Sequence, residues 1–215
     1  MVEALARNRW FARQPAPLQQ QLAVAGRIVT LRRGQWVYSQ GDEGTGLCAV
    51  IDGTLRLEVA LGSDRDVLIG LASAPAILGQ VRQIGGGPRI LSVRANSASR
   101  VLMIADDALD RVAAHEPALW RAINELVYAQ LEQMTRLAAH LLVQTPRGRV
   151  AMRLLQFAEG DRVPVNQADL AEMTALSRKT VNAHLAALEG TGVIMRGYRA
   201  ITLVDRPALE RIARG

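Results

Sequence analysis

The chain has 215 residues, of which 49% are hydrophobic and 21% are charged, and its net charge is +6. That apolar fraction is typical of globular proteins and excludes a wholly disordered chain. No apolar run reaches the roughly 18–20 residues that span a bilayer, and no signal peptide is visible at the N-terminus. The single cysteine, Cys48, excludes an intrachain disulfide and a cysteine-bound metal site. Composition therefore indicates a soluble cytoplasmic protein of one large or two small domains, with no metal.

Short β-type runs separated by turn residues fill the chain from residue 20 to residue 105. The runs are Ile28–Leu31, Trp36–Tyr38, Leu47–Ile51, Leu55–Val59, Val67–Leu71, Arg89–Val93 and Arg100–Ile104. The Asp52-Gly53 pair lies between two of these apolar runs and predicts a hairpin. Many short strands at even spacing predict a sandwich, a roll or a barrel.

The hydrophobic period changes near residue 106. Asp106 and Asp107 predict the cap of a short helix over 108–114, and Pro117 favours the first turn of a long helix. Side chains at alternating spacings of three and four predict a heptad seam along that helix. The seam residues are Trp120, Ile123, Val127, Gln130, Met134, Leu137 and Leu141. Such a seam favours a homodimer. The alternative is a lone helix packed on its own β domain, a contact that we assign to Leu119, Leu126 and Leu131.

Residues 144–148, Gln-Thr-Pro-Arg-Gly, end the long helix and mark a domain boundary. A helix over 147–158 and a short strand over 163–165 are predicted next. Two capped helices follow. Asn166 with Asp169 forms a capping box, and Ser177 is the N-cap of the second helix. Val181, Leu185 and Leu188 fall on one face of that second helix, which predicts a helix-turn-helix.

A basic hairpin completes a predicted winged helix, with strands Val193–Met195 and Ile201–Val204 around a tip at 196–199. Residues 145–215 contain 11 basic and 7 acidic side chains, against 15 and 13 in residues 1–144. This excess is typical of polyanion binders, although an arginine-rich proteome would produce it as well. Arginine and lysine pair with guanine, and asparagine pairs with adenine. The predicted DNA contacts are Ser177, Arg178, Lys179, Thr180, Asn182, Arg196 and Arg199.

With these residues in place, the chain resembles the CRP/FNR family of bacterial transcription regulators over nearly its whole length. The matching segments are residues 33–42 (RGQWVYSQGD), 50–53 (VIDG) and 176–181 (LSRKTV). The resemblance implies an α+β fold: an N-terminal β-roll (a double-stranded β-helix of the cyclic-nucleotide-binding type) over 1–116, a dimerisation helix over 117–144, and a winged helix-turn-helix over 145–215. It also implies a non-enzymatic homodimer whose partners are a palindromic double-stranded DNA operator and RNA polymerase, with no membrane partner.

The resemblance is weaker where family members bind their effectors. Cyclic-AMP-binding members have a Gly-Glu pair followed by Arg-Ser or Arg-Thr, and a Thr-Ser pair on the long helix. The corresponding residues here, and hence the predicted effector pocket, are Gly79, Gln80, Arg89, Ile90, Met134 and Thr135. Because Ile90 offers no hydroxyl, we expect an unknown small effector other than cyclic AMP, or none. The alternative is an activator that responds to cyclic AMP or cyclic GMP.

The remaining sensing chemistries lack ligands in this sequence. One cysteine cannot hold an iron–sulfur cluster, and residues 1–114 contain no histidine for haem or for a cupin-type metal enzyme. Cys48 is predicted to be an inert core residue rather than a redox sensor. A module that binds a ligand or a protein without DNA is the other alternative.

Two departures affect the predicted DNA-binding motif. Lys179 and Ala183 stand where well-known members have glutamate and arginine, so the operator is expected to differ from the well-known consensus sequences. Ala175 replaces the usual turn glycine, which costs on the order of 1 kcal/mol if the residue is left-handed.

Overall fold

The computed structural model describes residues 1–62, 66–143, 145–197 and 200–214. The chain divides into two compact units, one formed by residues 1–66 and 70–132 and the other by residues 67–69 and 133–215. The division falls within the longest helix, which is continuous through it.

The first unit begins with helices that the sequence analysis did not assign. They are α1 (Val2–Ala6), α2 (Arg9–Ala12) and α3 (Ala16–Ala25). The side chain of Asn8 caps α2 by accepting from the backbone N–H groups of Trp10 and Phe11. Phe11, Leu18 and Leu22 are buried in the core of the unit. Helical structure here therefore depends on one cap and on apolar burial rather than on a long periodic pattern.

Two antiparallel sheets form the β-roll, in agreement with the predicted fold. Their strand orders are β1-β8-β3-β6 and β2-β7-β4-β5. The strands are β1 (Arg27–Leu31), β2 (Trp36–Tyr38), β3 (Gly46–Asp52), β4 (Thr54–Ala60), β5 (Asp66–Ser73), β6 (Ile77–Gln80), β7 (Ser92–Ala95) and β8 (Ser99–Ala105). Leu55, Val93 and Val101 are completely buried, so alternate side chains of both sheets fill the interior of the roll.

Six of the seven predicted strands coincide with observed strands, but the one predicted pairing does not. The predicted hairpin at Asp52-Gly53 is wrong, because β3 and β4 belong to different sheets. The turn instead leads the chain from one sheet to the other. Gly53 has φ +83°, and a Cβ there would collide with the backbone of residues 98 and 99. The strand expected at Arg89–Val93 begins only at Ser92, and β6 was not predicted.

Helix α4 spans Asp106–His115 and α5 spans Leu119–Val143. Asp106 was predicted to cap α4, but it is the first residue of the helix, and Ala105 is the N-cap. Its buried carboxylate accepts from the hydroxyl of Thr45 and the backbone N–H of Arg82. A short 3-10 turn at Arg82–Ile84 is thereby joined to the start of α4.

The first part of α5 packs on the roll. Leu119 and Leu126 are buried there as expected, but Leu131 is 60% exposed. Ile123 is completely buried in the same core, so its assignment to a partner-facing seam is wrong. Gln130 is also turned toward the roll, because its side-chain amide donates to the carbonyl of Ile77 (3.1 Å). The N-terminal half of the predicted seam therefore contacts the roll of the same chain.

The second unit is a winged helix. Its elements are α6 (Pro146–Gln156), β9 (Arg162–Val163), α7 (Gln167–Thr174), α8 (Arg178–Gly190), β10 (Ile194–Gly197), β11 (Ala200–Leu203) and α9 (Arg206–Arg214), with sheet order β10-β11-β9. Val181, Leu185 and Leu188 are completely buried, as their spacing predicted. Among the described residues of the chain, no helix combines the length and apolar character that a bilayer crossing requires.

Candidate nucleic-acid interface

The two helices of the predicted motif are set by local capping bonds. The side-chain oxygen of Asn166 accepts from the backbone N–H of Asp169 (2.9 Å), and its amide donates to the Asp169 carboxylate (2.7 Å). At the start of α8, Ser177 Oγ accepts from the backbone N–H of Thr180 (3.0 Å) and shares a second bond with its hydroxyl (2.8 Å). Both predicted caps are therefore present.

Ala175 forms the turn between α7 and α8 in the left-handed conformation, with φ 54° and ψ 39°. Its backbone N–H donates to the carbonyls of Ala171 and Glu172, which closes the end of α7. This is the conformation that glycine adopts without strain. The sequence-based expectation of a strained alanine is met.

Two arginines of α6 hold the C-terminal end of α7. Arg153 donates from Nε and Nη2 to the carbonyl of Met173 (3.2 and 2.9 Å), and Arg149 donates to the carbonyl of Thr174 (3.0 Å). The last carbonyls of a helix have no partner within the helix and attract cations. Arg153 is 1% exposed, and burial lowers its pKa to about 10. These hydrogen bonds were not predicted, because the spacing of residues in α6 does not indicate a contact with a turn about twenty residues further along the chain.

The first turn of α8 presents an exposed polar face. Arg178, Lys179 and Asn182 are all exposed. Within the described parts of the chain, neither Arg178 nor Lys179 makes a hydrogen bond or an ion pair. Ser177 and Thr180, which we predicted as DNA contacts, already bond to each other. The geometry therefore leaves the side chains of Arg178 and Lys179 available on the face of the helix, beside the exposed amide of Asn182.

Arg196 of the wing is bound to α8. Its backbone N–H and Nε donate to the Glu189 carboxylate (2.9 and 2.7 Å), and its Nη1 donates to Oδ1 of Asn182 (3.1 Å). Hydrogen bonds from the backbone and then the side chain of Arg196 lower the pKa of Glu189. The sequence analysis missed Glu189, although it lies seven residues after Asn182 and hence on the same helical face. Arg199, the other predicted wing contact, lies outside the described residues.

Gln80 closes the loop where the family resemblance placed an effector. Its Nε2 donates to the carbonyls of Gly87 (3.0 Å) and Pro88 (2.6 Å), and its Oε1 accepts from the backbone N–H of Ile90 (3.1 Å). The side chain of Gln80 thus bonds to three backbone groups of this loop. Ile90 itself is 70% exposed.

Arg89 is turned into the protein. It is 4% exposed, its Nε and Nη1 donate to the carbonyls of Gly44 (2.8 Å) and Gly46 (3.3 Å), and its guanidinium lies 4.0 Å from the centre of the Tyr38 ring. A groove of about 730 Å³ beside Arg89 is lined by the 42–45 loop and the start of α4. Gly79, Gln80 and Ile90 do not line it. Of the predicted effector residues of the roll, Arg89 thus lines this groove, while Gln80 and Ile90 bond to each other outside it.

The other predicted site residues have separate surroundings. A Cβ on Gly79 would press within 3.1 Å of the side chains of Leu47 and Leu126, so the space beside it is occupied. Met134 and Thr135 lie on the part of α5 that belongs to the second unit. Cys48 is completely buried, and burial raises the pKa of its thiol to about 12. Among the described residues there is no cluster of three metal-ligating side chains.

Comparisons with known proteins agree with this arrangement. A Crp-like helix-turn-helix domain matches residues 148–212, and a cyclic nucleotide-binding domain matches residues 28–116. The chain is 26% identical over 196 residues to a CRP-like cAMP-activated global transcriptional regulator of Mycobacterium tuberculosis, covering 86% of this chain and 88% of that protein. It is 29% identical over 198 residues to the nitrogen fixation regulation protein FixK of Bradyrhizobium diazoefficiens, covering 87% and 82%.

A solved structure shows the same fold. FixK2 from Bradyrhizobium japonicum superposes with a TM-score of 0.79 at 19% identity, covering 87% of this chain and 96% of that one. The two matched domains occur in the order that the sequence motifs predicted, and the structure contains both the roll and the winged helix. The chain belongs to the CRP/FNR family of transcription regulators.

Proposed function

We propose that this regulator acts in the cytoplasm as a homodimer on a palindromic operator in double-stranded DNA, where it also contacts RNA polymerase. The observation that carries the proposal is the capped start of α8. There Arg178, Lys179 and Asn182 are exposed on one face at spacings of one and four residues. A recognition helix of this kind enters the major groove with its N-terminal residues against the base edges.

The side chains on that face predict which bases are read. Arg178 and Lys179 donate and cannot accept, so they suit O6 and N7 of guanine and do not suit the amino group of cytosine. Ala183 offers only an apolar contact to a thymine methyl group. Arg199, which the sequence predicts as a DNA contact, would add a phosphate contact, which supplies affinity without base preference.

An exposed apolar stripe on α5 supports the dimer. Tyr128 is 71% exposed, Leu131 60% and Leu142 87%. Positions 128, 131, 135, 138 and 142 are spaced by four and three residues, which is a heptad seam one residue beyond the predicted one. The partly buried predicted residues Leu137 and Leu141 would flank this seam. A second copy related by a two-fold axis would place the recognition helices roughly 34 Å apart, on successive major grooves.

The roll supports an effector other than cyclic AMP, or no effector. A bound phosphate would need donors from the loop after β6, yet the Gln80 side chain already bonds to that loop at three points. Arg89, the one family residue that could pair with a phosphate, donates to two backbone carbonyls and is buried. Binding of a cyclic nucleotide would therefore have to break these internal bonds first.

Selection from a random double-stranded DNA library tests the proposal. The chain should enrich sequences with two inverted half-sites about one helical turn apart. Arg178→Ala should then weaken binding of the selected operator by about 5- to 150-fold, the equivalent of roughly 1–3 kcal/mol. Arg211→Ala is the matched control, because it removes one exposed positive charge from α9 and should change affinity little. Failure of the wild-type chain to enrich any sequence would favour a protein-binding module instead.

A further inference from the structure

The guanidinium of Arg196 connects two residues on one face of α8. Nε and Nη2 lie 2.7 and 2.6 Å from Oε2 of Glu189, while Nη1 lies 3.1 Å from Oδ1 of Asn182. All three nitrogens of the guanidinium are therefore used. An arginine held by a carboxylate at one edge is pre-organised to donate from its other edge.

This contact decides which way the Asn182 amide faces. A guanidinium nitrogen carries only donors, so the atom next to it has to be the amide oxygen. Nδ2 of Asn182 then points away from Arg196 with both of its hydrogens. Among the described residues, none accepts a hydrogen bond from it.

We propose that Arg196, held by Glu189, is a positioning residue that fixes the Asn182 amide for reading one base pair. The proposal rests on the proposed DNA function and deepens it. Held in this way, Asn182 donates from Nδ2 to N7 of adenine, and the second lone pair of Oδ1 accepts from the adenine N6 amino group. Arg196 thereby acts on base preference through Asn182, and not as the phosphate contact that a basic wing would predict.

The alternative role makes an opposite prediction. A side chain that neutralises a phosphate contributes about 0.9 to the slope of log affinity against log salt, whatever the sequence. A side chain that orients a base-reading amide contributes to discrimination at one position and leaves that slope unchanged. The two roles can therefore be separated in one set of titrations.

Arg196→Lys is the informative variant, because it keeps the positive charge and removes the planar fork. The probe is the double-stranded operator selected by the wild-type chain, together with its single base-pair variants at each position of a half-site. We expect the wild-type preference for adenine at one position, of about tenfold, to fall to less than threefold in Arg196→Lys. Glu189→Gln should have the same effect, since it weakens the pair that holds Arg196. Both side chains are about one-third exposed, at 34% each, and circular dichroism checks that the fold is kept.

Two controls complete the design. Glu210→Gln removes one exposed negative charge from α9 of the same unit and should leave every base preference unchanged. In an Asn182→Ala background, Arg196→Lys should have no further effect on discrimination, because the group it orients is gone.

The possible outcomes distinguish a failure of the proposed DNA function from a failure of the positioning role of Arg196. If the wild-type chain selects no sequence, the proposed DNA function fails. If it selects an operator but Arg196→Gln lowers the salt slope by about one, with base preferences intact, Arg196 is a phosphate contact and the positioning role is overturned. Unchanged preferences in Arg196→Lys and Glu189→Gln would overturn it as well.

Discussion

The left-handed alanine in the helix-turn-helix offers a direct test of the local structure. Ala175→Gly should stabilise the chain, because Ala175 has φ 54° and its side chain is exposed. An L-residue in this conformation costs about 1–2 kcal/mol, and glycine avoids that cost. Glycine also gains about 0.4–1 kcal/mol of conformational freedom in the unfolded chain, which opposes the effect. The net expectation is a gain of about 0.5–1 kcal/mol in the free energy of unfolding.

The matched control is the same chemical change in a right-handed helix. Ala186 is exposed in the middle of α8, where Ala→Gly costs about 1 kcal/mol. The two substitutions should therefore shift the urea midpoint in opposite directions. For a chain of this size, 1 kcal/mol corresponds to a change in melting temperature of about 2–4 °C, and to more if the winged helix melts separately.

Circular dichroism in urea measures the free energy of unfolding of both variants and of the wild-type chain. If Ala175→Gly loses as much stability as Ala186→Gly, then residue 175 is not left-handed and the turn is wrongly described. If both variants gain stability, the helix α8 is in question instead. The caps at Ser177 and Asn166 are unaltered in either variant, so a difference between them reports on the conformation at a single residue.

Four further predictions address the dimer, the effector, the buried arginine and the buried thiol. Tyr128→Glu should convert the dimer to a monomer in sedimentation experiments and abolish operator binding, whereas Gln133→Glu, on the opposite side of the proposed seam, should do neither. About 1 mM cyclic AMP or cyclic GMP should leave the melting temperature unchanged. A ligand at 100 times its Kd would add about 2.7 kcal/mol to the free energy of unfolding. A clear rise in melting temperature would therefore refute the proposal that the bonds of Gln80 to its loop keep a cyclic nucleotide out. Arg153→Met should lower the free energy of unfolding by about 1–3 kcal/mol in urea, since it leaves the carbonyl of Met173 without its partner. The pKa of Cys48 is about 12 in the folded chain, against an ordinary value of 9.0, so the thiol ionises first in the unfolded chain. The free energy of unfolding should therefore fall as pH rises above about 9, by up to about 1.4 kcal/mol per pH unit. Cys48→Ala should remove that part of the decline.

The helix-turn-helix could be predicted almost residue by residue because its determinants are local. The caps at Asn166 and Ser177, the buried face of α8 and the strained Ala175 all depend on neighbours within four residues. The residues of the first unit predicted only a set of strands, and the roll itself was predicted from the family resemblance. A turn signal such as Asp52-Gly53 reports that the chain reverses, but the sheet that receives the next strand is decided by contacts far along the sequence.

The N-terminal half of the seam predicted on α5 shows that a heptad pattern does not reveal which face of a helix is exposed. Two apolar stripes follow the same helix, one beside the other, and both have spacings of three and four. Ile123 is completely buried against the roll, whereas Met134 on the same stripe is 37% exposed and Tyr128 on the neighbouring stripe is 71% exposed. Sequence spacing alone does not distinguish them, because each stripe satisfies the same heptad pattern. Only the position of the roll decides which stripe remains at the surface.

Arg89 shows the corresponding problem for site residues. It occupies the position that the family resemblance assigns to a phosphate contact, yet the backbone carbonyls of Gly44 and Gly46 and the ring of Tyr38 take up its guanidinium. The same loop has Gln80 in place of glutamate, and this neutral side chain can both donate and accept. A glutamate could not donate to the carbonyls of Gly87 and Pro88, so the internal closure of the loop depends on that one substitution. The identity of residue 80 therefore predicts more about the sensor than the retention of Arg89 does.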